Sequence, residues 1–234
     1  MSKQRIDRFL SNQLHISRNE ARTGIKRGLA SVNGQIVRGC GYPVEPDVDE
    51  VLYEGVRVAY KRHVYLMLNK PAGIISASRD KSRKTVLDLV PERLQRNGLS
   101  VVGRLDKDTT GLILITDDGE FAHKCISPKS NTEKSYLATL DGEINGDMIK
   151  RFADGITLAN GEKCKSAVLE KHEKNVARVI ITEGKYHQIK RMFGAVGLGV
   201  TGLHRERIGG LILPDNLAPG ECREVPETAI KTVI

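Results

Sequence analysis

Residues 103–116 have the sequence GRLDKDTTGLILIT, and this stretch decides how the larger part of the 234-residue chain is interpreted. A polar loop that contains Asp106 and Asp108 runs directly into the largely apolar segment 112–116. Such a segment is typical of a buried strand, and loops held at strand ends are favoured positions for catalytic groups. A solvated turn followed by a buried strand fits the same pattern, so the residues alone leave both interpretations open.

Short apolar segments alternate with turns on both sides of this loop. Because the predicted strands outnumber the predicted helices and follow an irregular order, we expect an α+β domain built on a mixed, mostly antiparallel sheet. Strands are predicted at residues 65–68, 112–116, 136–140, 167–169 and 176–182, and helices at residues 148–152 and 187–196.

The beginning of the chain has a pattern of its own. Apolar residues at helical spacing within 6–14 predict one helix, and the capping box SRNE at 17–20 starts a second one. The second helix is expected to end at Gly28, and the Asn-Gly pair at 33–34 predicts a tight hairpin. We therefore expect a small N-terminal domain of two helices and a hairpin over residues 1–60.

Basic side chains are concentrated in this small domain. The chain has 37 Lys and Arg against 29 Asp and Glu, and eight of the basic residues lie within 1–38 against only Asp7 and Glu20. A positive balance suggests a polyanionic partner, because each phosphate that Lys or Arg neutralises releases counterions. A solvated helix face is the alternative. Residues 59–63 lack periodicity and apolar content, so we expect a linker there, followed by a second domain over 61–234.

The sequence favours neither disulfide bonds, a metal site, a signal peptide nor a membrane-spanning segment. The four cysteines have no C-x-x-C spacing and the six histidines have no i, i+3 or i, i+4 pair, so we expect reduced thiols and no metal site. The N-terminal residues lack the apolar segment of a signal peptide, and no apolar run approaches the ~20 residues that span a bilayer. We therefore expect a cytoplasmic protein that does not bind membranes.

The small domain resembles the alpha-L RNA-binding motif, which occurs in a small-subunit ribosomal protein, tyrosyl-tRNA synthetases and several RNA-modifying enzymes. The resemblance rests on SRNEA at 17–21, IKRG at 25–28 and VNG at 32–34. Ala30 departs from the usual β-branched residue, and Gly24 departs because a glycine inside a helix costs about 1 kcal/mol relative to alanine. In that family the basic faces of the two helices contact RNA, which implies five RNA-binding residues here: Arg5, Arg18, Arg22, Lys26 and Arg27.

Residues 103–116 resemble, nearly letter for letter, the motif of the pseudouridine synthases that modify ribosomal RNA, in the branch with an N-terminal alpha-L domain. The resemblance implies that Asp106 is the one catalytic residue shared by all members, and that Arg104 fills the space left by the flipped nucleotide. The sequence KSY at 134–136 resembles the Lys-x-Tyr motif, whose tyrosine, here Tyr136, stacks against the target base. Without the other motifs, a buried strand tyrosine would be the preferred interpretation.

A third segment, EGKYHQIKRMF at 183–193, resembles the motif that holds an aliphatic pocket residue and a basic partner of the catalytic aspartate. The resemblance implies that Ile189 lines the pocket. It also implies that Lys190 pairs with Asp106 and keeps this carboxylate ionised. An ordinary basic helix that touches phosphate is compatible with the two other cations of the segment, which are predicted to bind RNA: Lys185 and Arg191.

Together with the third segment, LHRERIGG at 203–210 makes the chain most similar to the small-subunit branch of the family. The resemblance implies a monomer that flips a uridine out of 16S ribosomal RNA, in a small-subunit assembly intermediate, and isomerises it to pseudouridine with Asp106 as nucleophile or base. The reaction involves no redox change and no group donor, so no cofactor or metal is expected. Three alternatives stay open: a large-subunit ribosomal RNA synthase of the same family, a non-catalytic RNA-binding ribosome-assembly factor, and a hydrolase that uses Asp106 with Asp108.

Overall fold

The computed structural model describes residues 3–127 and 129–234. The chain forms two compact units. The N-terminal unit consists of the residues up to Val64 together with Glu92–Leu99, and the larger unit consists of Tyr65–Pro91 together with Ser100–Ile234. In the described part of the chain, no helix has both the length and the apolar composition needed to cross a bilayer.

The N-terminal unit is built from two short helices and a set of short strands. These elements are β1 (Gln4–Arg5), α1 (Ile6–Leu14), α2 (Arg18–Lys26), β2 (Ala30–Val32), β3 (Gln35–Val37), β4 (Pro43–Val44), β5 (Val51–Tyr53) and β6 (Val56–Arg57). Strand β1 pairs with β4, and a four-stranded antiparallel sheet has the order β3-β2-β5-β6. The predicted domain of two helices and a hairpin is confirmed.

Local sequence signals set the ends of these elements. The hydroxyl of Ser17 accepts the N–H of Glu20 at 3.1 Å, and a carboxylate oxygen of Glu20 accepts the N–H of Ser17 at 2.7 Å, so a capping box starts α2. Between β2 and β3, Asn33 and Gly34 have φ angles of 50° and 79°. Two successive positive φ angles are what a type I′ hairpin turn requires.

The core of the N-terminal unit contains the apolar faces of both helices. Phe9 of α1 and Ile25 of α2 are buried in one cluster with residues of β2 and β5. The departure at Gly24 has a packing reason, because a Cβ at this position would overlap the hydroxyl group of Tyr53. The glycine therefore lets the Tyr53 side chain pack directly against α2.

The larger unit is built on one nine-stranded sheet. Its elements are β7 (Tyr65–Lys70), β8 (Ser100–Val102), β9 (Thr110–Thr116), α3 (Gly119–Ile126), β10 (Lys134–Leu140), α4 (Gly146–Asp154), β11 (Val168–Glu173), β12 (Val176–Ile181), α5 (Gln188–Ala195), β13 (Val200–Ile208), β14 (Leu211–Ile212), β15 (Cys222–Glu224) and α6 (Glu227–Ile230). The strand order is β11-β12-β10-β13-β9-β7-β15, with β14 on β13 and β8 on β9. Only β9 and β13 pair in parallel among the described strands, so the predicted mixed, mostly antiparallel sheet is confirmed.

Strand β13, which joins β10 to β9, is absent from the strands predicted from sequence. Its charged run HRER at 204–207 hides the alternation expected of a strand. The side chain of Arg205 is nevertheless buried, and its Nε donates to the carbonyl of Leu112 at 2.7 Å. Gly111 of β9, with φ of 101°, allows the two strands to approach, because a Cβ there would overlap the carbonyl oxygen of Arg205.

Candidate active site

The loop at 103–109 joins β8 to β9 and is anchored on both sides of Asp106. Leu105 is buried, its N–H donates to Ser76 Oγ at 3.0 Å, and its carbonyl accepts the Ser76 hydroxyl at 2.8 Å. Thr109 is also buried, and its N–H donates to the carbonyl of Asp106 at 3.2 Å. The Asp106 side chain keeps 30% of its surface exposed. The loop therefore presents this carboxylate to solvent from an anchored backbone.

A fully buried lysine at the end of β7 also binds the loop. Lys70 Nζ donates to the carbonyls of Thr109 at 2.8 Å, Pro71 at 3.0 Å and Lys107 at 3.2 Å. Burial lowers the pKa of Lys70 to about 8, although the charges of the two loop carboxylates oppose this shift. The motif reasoning overlooked Lys70, because a lysine that ends an apolar strand is typical of an exposed strand end.

The two carboxylates of the loop have different basic neighbours. His187 Nε2 lies 3.4 Å from Asp106 Oδ1, whereas Lys190 Nζ donates to Asp108 Oδ2 at 2.6 Å. The hydrogen bond from Lys190 lowers the pKa of Asp108. The predicted pair between Lys190 and Asp106 is therefore absent from this structure. His187 precedes α5 with φ of 48°, and its imidazole occupies the position beside Asp106 that the motif predicted for the lysine.

Tyr136 lies on β10 and is 7% exposed. The guanidinium carbon of Arg205 lies 5.9 Å from the centre of its ring, and Arg205 Nη1 lies 3.4 Å from its hydroxyl oxygen. Within the described residues, the buried Nη2 of Arg205 and the buried hydroxyl of Thr109 have no hydrogen-bond partner. Buried polar atoms are rarely unpaired.

The other predicted substrate and phosphate residues have varied surroundings. Arg104 is exposed on the loop, and Ile189 is buried on α5. Lys185 Nζ lies 2.8 Å from one carboxylate oxygen of Glu162, and Arg191 Nη1 lies 3.6 Å from the other. Lys185 and Arg191 share Glu162, and Glu183 of the same segment also acts on Lys185, so these four side chains carry no net formal charge. No group of three His, Cys, Asp or Glu residues that could hold a metal ion occurs in the described part of the chain.

Comparison with known proteins identifies the family. Residues 64–195 match the RNA pseudouridylate synthase family model, and residues 4–49 match the S4 domain. The chain belongs to the RNA pseudouridylate synthase family. This synthase is 43% identical over 232 residues to ribosomal small subunit pseudouridine synthase A of Escherichia coli K12, covering 98% of this chain and 100% of that protein.

Two further proteins are similar to the synthase over nearly its full length. An uncharacterized RNA pseudouridine synthase of Bacillus subtilis is 38% identical, and the match covers 95% of each chain. A crystal structure of a pseudouridylate synthase superposes with a TM-score of 0.69 at 35% identity, covering 99% of this chain and 100% of that one. The similarity therefore includes both the S4 domain and the nine-stranded sheet.

The S4 domain of the synthase holds three of the predicted RNA-binding arginines on one carboxylate. Asp7 in α1 is fully buried, and its Oδ2 lies 3.0 to 3.3 Å from nitrogens of Arg5, Arg18 and Arg22. Burial opposes the ionisation of Asp7, but the hydrogen bonds from the guanidinium groups outweigh it and hold the pKa of this carboxyl well below its usual range. The three arginine side chains are about half exposed. The other two predicted residues, at the end of α2, are exposed: Lys26 and Arg27.

Sequence reasoning assigned no role to His187 and Arg205 of the synthase, although both lie in the segments that carry the resemblance. The spacing rules for metal sites say nothing about a lone histidine such as His187. A charged strand residue such as Arg205 is typical of a solvated face, and its burial follows only from the pairing of β13 with β9. The position of His187 could have indicated a role near Asp106, since it lies three residues before Lys190, at the start of the same helix.

Proposed function

We propose that the synthase isomerises a specific uridine to pseudouridine in small-subunit (16S) ribosomal RNA, with Asp106 as the catalytic nucleophile or base. The observation that carries this proposal is the 43% identity, over 98% of the chain, to a protein named ribosomal small subunit pseudouridine synthase A. The anchored and partly exposed carboxylate of Asp106 supports its assignment as the reacting group.

The reaction breaks the bond between ribose C1′ and uracil N1 and forms a new bond between C1′ and uracil C5. The proton on C5 is released and N1 gains one, so the atoms balance without a cofactor. A stacked base cannot rotate in this way, and the nucleotide must leave its helix at a cost of a few kcal/mol. Stacking of the target base on Tyr136 would offset roughly 1–3 kcal/mol of that cost. Arg104, exposed beside Asp106, would fill the space that the nucleotide leaves in the RNA.

Two residues of α5 complete the proposed substrate site. Ile189 is buried on the helix that also carries Lys190, and it would form part of the apolar wall of the pocket. Lys190 keeps 25% of its side chain exposed while it pairs with Asp108, which is 71% exposed. An RNA phosphate or a uracil oxygen can therefore compete with Asp108 for this ammonium group.

We infer that the RNA-binding domain spans residues 1–60, the catalytic domain spans residues 61–234, and the arginines around Asp7 dock the RNA. Three guanidinium groups carry fifteen N–H donors. Five hydrogen bonds to Asp7 are present, so most donors remain for phosphate oxygens. Four further basic residues are proposed as phosphate contacts: Lys26, Arg27, Lys185 and Arg191.

We further infer that the substrate is a small-subunit assembly intermediate, on which the synthase acts as a monomer in the cytoplasm. Base flipping requires free space around the target uridine. Ribosomal proteins fill such space progressively during assembly, which favours an early RNA-protein particle over the finished subunit. Modification of large-subunit RNA and a non-catalytic role in assembly are the competing outcomes.

The test is to map pseudouridines in total ribosomal RNA from a strain that lacks the gene. We expect one pseudouridine of small-subunit RNA to disappear, and a plasmid copy of the wild-type gene to restore it. A missing pseudouridine in large-subunit RNA would move the substrate to that branch of the family. An unchanged map would refute the proposed function.

A further inference from the structure

Tyr186 is the most exposed aromatic side chain in the described part of the chain, with 75% of its surface accessible. Single exposed apolar residues are common and need no explanation. Tyr186 differs because its ring lies on the imidazole of His187, with ring centres 3.9 Å apart and planes inclined by 17°. One face of the tyrosine ring is therefore covered, and its exposed surface includes the opposite face.

The backbone around Tyr186 is fixed by several hydrogen bonds. Arg191 Nη1 donates to the carbonyl of Tyr186 at 3.2 Å, and Arg191 Nη2 donates to Asn160 Oδ1 at 2.8 Å. On the preceding residue, the N–H of Lys185 donates to Gln188 Oε1 at 2.9 Å. An aromatic ring on a fixed backbone loses little conformational freedom when a ligand binds, which increases affinity.

The exposed ring lies close to the catalytic carboxylate. His187, on which Tyr186 stacks, has its Nε2 3.4 Å from Asp106 Oδ1. One imidazole therefore separates the tyrosine ring from the group that reacts with the target uridine. When that uridine flips, its neighbours lose a stacking partner. Lys185 and Arg191 each pair with Glu162, and a phosphate of the same strand would compete with Glu162 for either group.

We propose that the outer face of Tyr186 binds an unpaired nucleobase that lies next to the flipped uridine in the RNA substrate. This inference rests on the proposed function, because the uridine at Asp106 defines the neighbouring nucleotide. Stacking on an aromatic ring tolerates any base. The site therefore adds affinity for unpaired RNA beside the target and does not read its sequence. Tyr136, which is buried, is assigned to the target base itself.

The experiment compares single-turnover rates of full-length variants on small-subunit assembly particles purified from cells that lack the synthase. Loss of one stacked base corresponds to about a five- to 150-fold rise in the RNA concentration that gives the half-maximal rate, and we expect this for Tyr186→Ala. Tyr186→Phe keeps the ring and should recover most of the affinity. Ile212→Ala is the matched control, because it removes an exposed apolar side chain of β14 and should leave the half-maximal concentration unchanged.

An unchanged half-maximal concentration for Tyr186→Ala would overturn the inference. So would a lower rate at saturating RNA without a change in that concentration, because Tyr186 would then act on Asp106 through His187. Failure of the proposed function looks different, since the wild type itself would be inactive on these particles. Filter binding of the same particles then still compares the wild type with Tyr186→Ala, and equal Kd values reject the stacking site.

Discussion

Lys70→Met removes the ammonium group that binds the loop at 103–109 and keeps a side chain of similar length. This loop carries Asp106 and is called the catalytic loop below. The carbonyl of Lys107 retains the N–H of Gly73 at 2.8 Å, whereas the carbonyls of Pro71 and Thr109 each lose a buried donor. At about 1–3 kcal/mol for each buried acceptor left unsatisfied, the cost is roughly 2–6 kcal/mol. Removal of the Lys70 charge offsets part of this cost, because burial disfavours the charged form of the side chain. We expect a net loss of roughly 1–4 kcal/mol in the free energy of unfolding.

The same substitution should lower the catalytic rate, because the loop determines where Asp106 stands. A displacement of about 1 Å at a reacting group can reduce the rate by about 100-fold. The assay combines urea unfolding, followed by circular dichroism, with single-turnover isomerisation at saturating RNA under conditions where the variant is folded. Ile230→Ala is the matched control, since it removes a buried side chain of α6 from the core of the same unit, outside the loop at 103–109.

The two measurements separate loop positioning from general stability. Positioning predicts that Lys70→Met loses much more rate than Ile230→Ala for the same loss of unfolding free energy. If Lys70→Met kept the wild-type rate while it was folded, or if both variants lost rate in proportion to stability, the role assigned to Lys70 would be wrong.

Three further predictions concern the charged groups. Asp7→Asn should weaken binding of 16S ribosomal RNA in filter assays although it removes a negative charge, because the three arginines lose their common charged acceptor. Asp47→Asn removes an exposed carboxylate and is the control that should not weaken binding. Tighter binding by Asp7→Asn would refute the prediction. Lys190→Met and Asp108→Asn should have non-additive effects on the single-turnover rate in a double-mutant cycle, whereas additive effects would exclude a functional pair. The pKa of Lys70 is about 8 in the folded protein and its ordinary value is 10.5, so the unfolded chain binds more protons between these two pH values. The free energy of unfolding of the wild type should therefore rise across that pH range relative to that of Lys70→Met. Parallel plots of unfolding free energy against pH for the two proteins would contradict this.

The features predicted correctly from sequence depend on local interactions. The capping box of α2 and the Asn-Gly hairpin each involve residues within four positions of one another, so the sequence contains the whole interaction. The apolar run before Thr116 likewise becomes the buried strand β9, because its composition alone excludes a solvated position. The local patterns also predicted the two-domain organisation, and the family motifs identified RNA as the polyanion that the basic N-terminal domain is expected to bind.

The features that sequence reasoning missed depend on contacts between distant segments. Arg205 is buried only because β13 lies parallel to β9, and Lys70 is buried only because the catalytic loop folds over the end of β7. The third motif predicted Lys190 as the neighbour of Asp106, whereas in this structure His187 lies beside Asp106 and Lys190 contacts Asp108. The residue at which α5 begins determines which basic side chain of this segment lies beside Asp106. The sequence does not fix this starting residue, so it could not show that His187 takes the place predicted for Lys190.

The central claim is that the carboxylate of Asp106 performs the isomerisation. Asp106→Asn keeps the size of the side chain and removes its charge and nucleophilicity, while the anchors at Leu105 and Thr109 remain. The decisive measurement is pseudouridine formation by the purified variant in a single turnover on small-subunit assembly particles that lack this pseudouridine, together with filter binding of the same particles. We predict no product above the enzyme-free blank and a Kd within about twofold of the wild type, since loss of one negative charge from the loop leaves the phosphate contacts in place. Even a few per cent of the wild-type rate in the Asn variant would contradict the assignment.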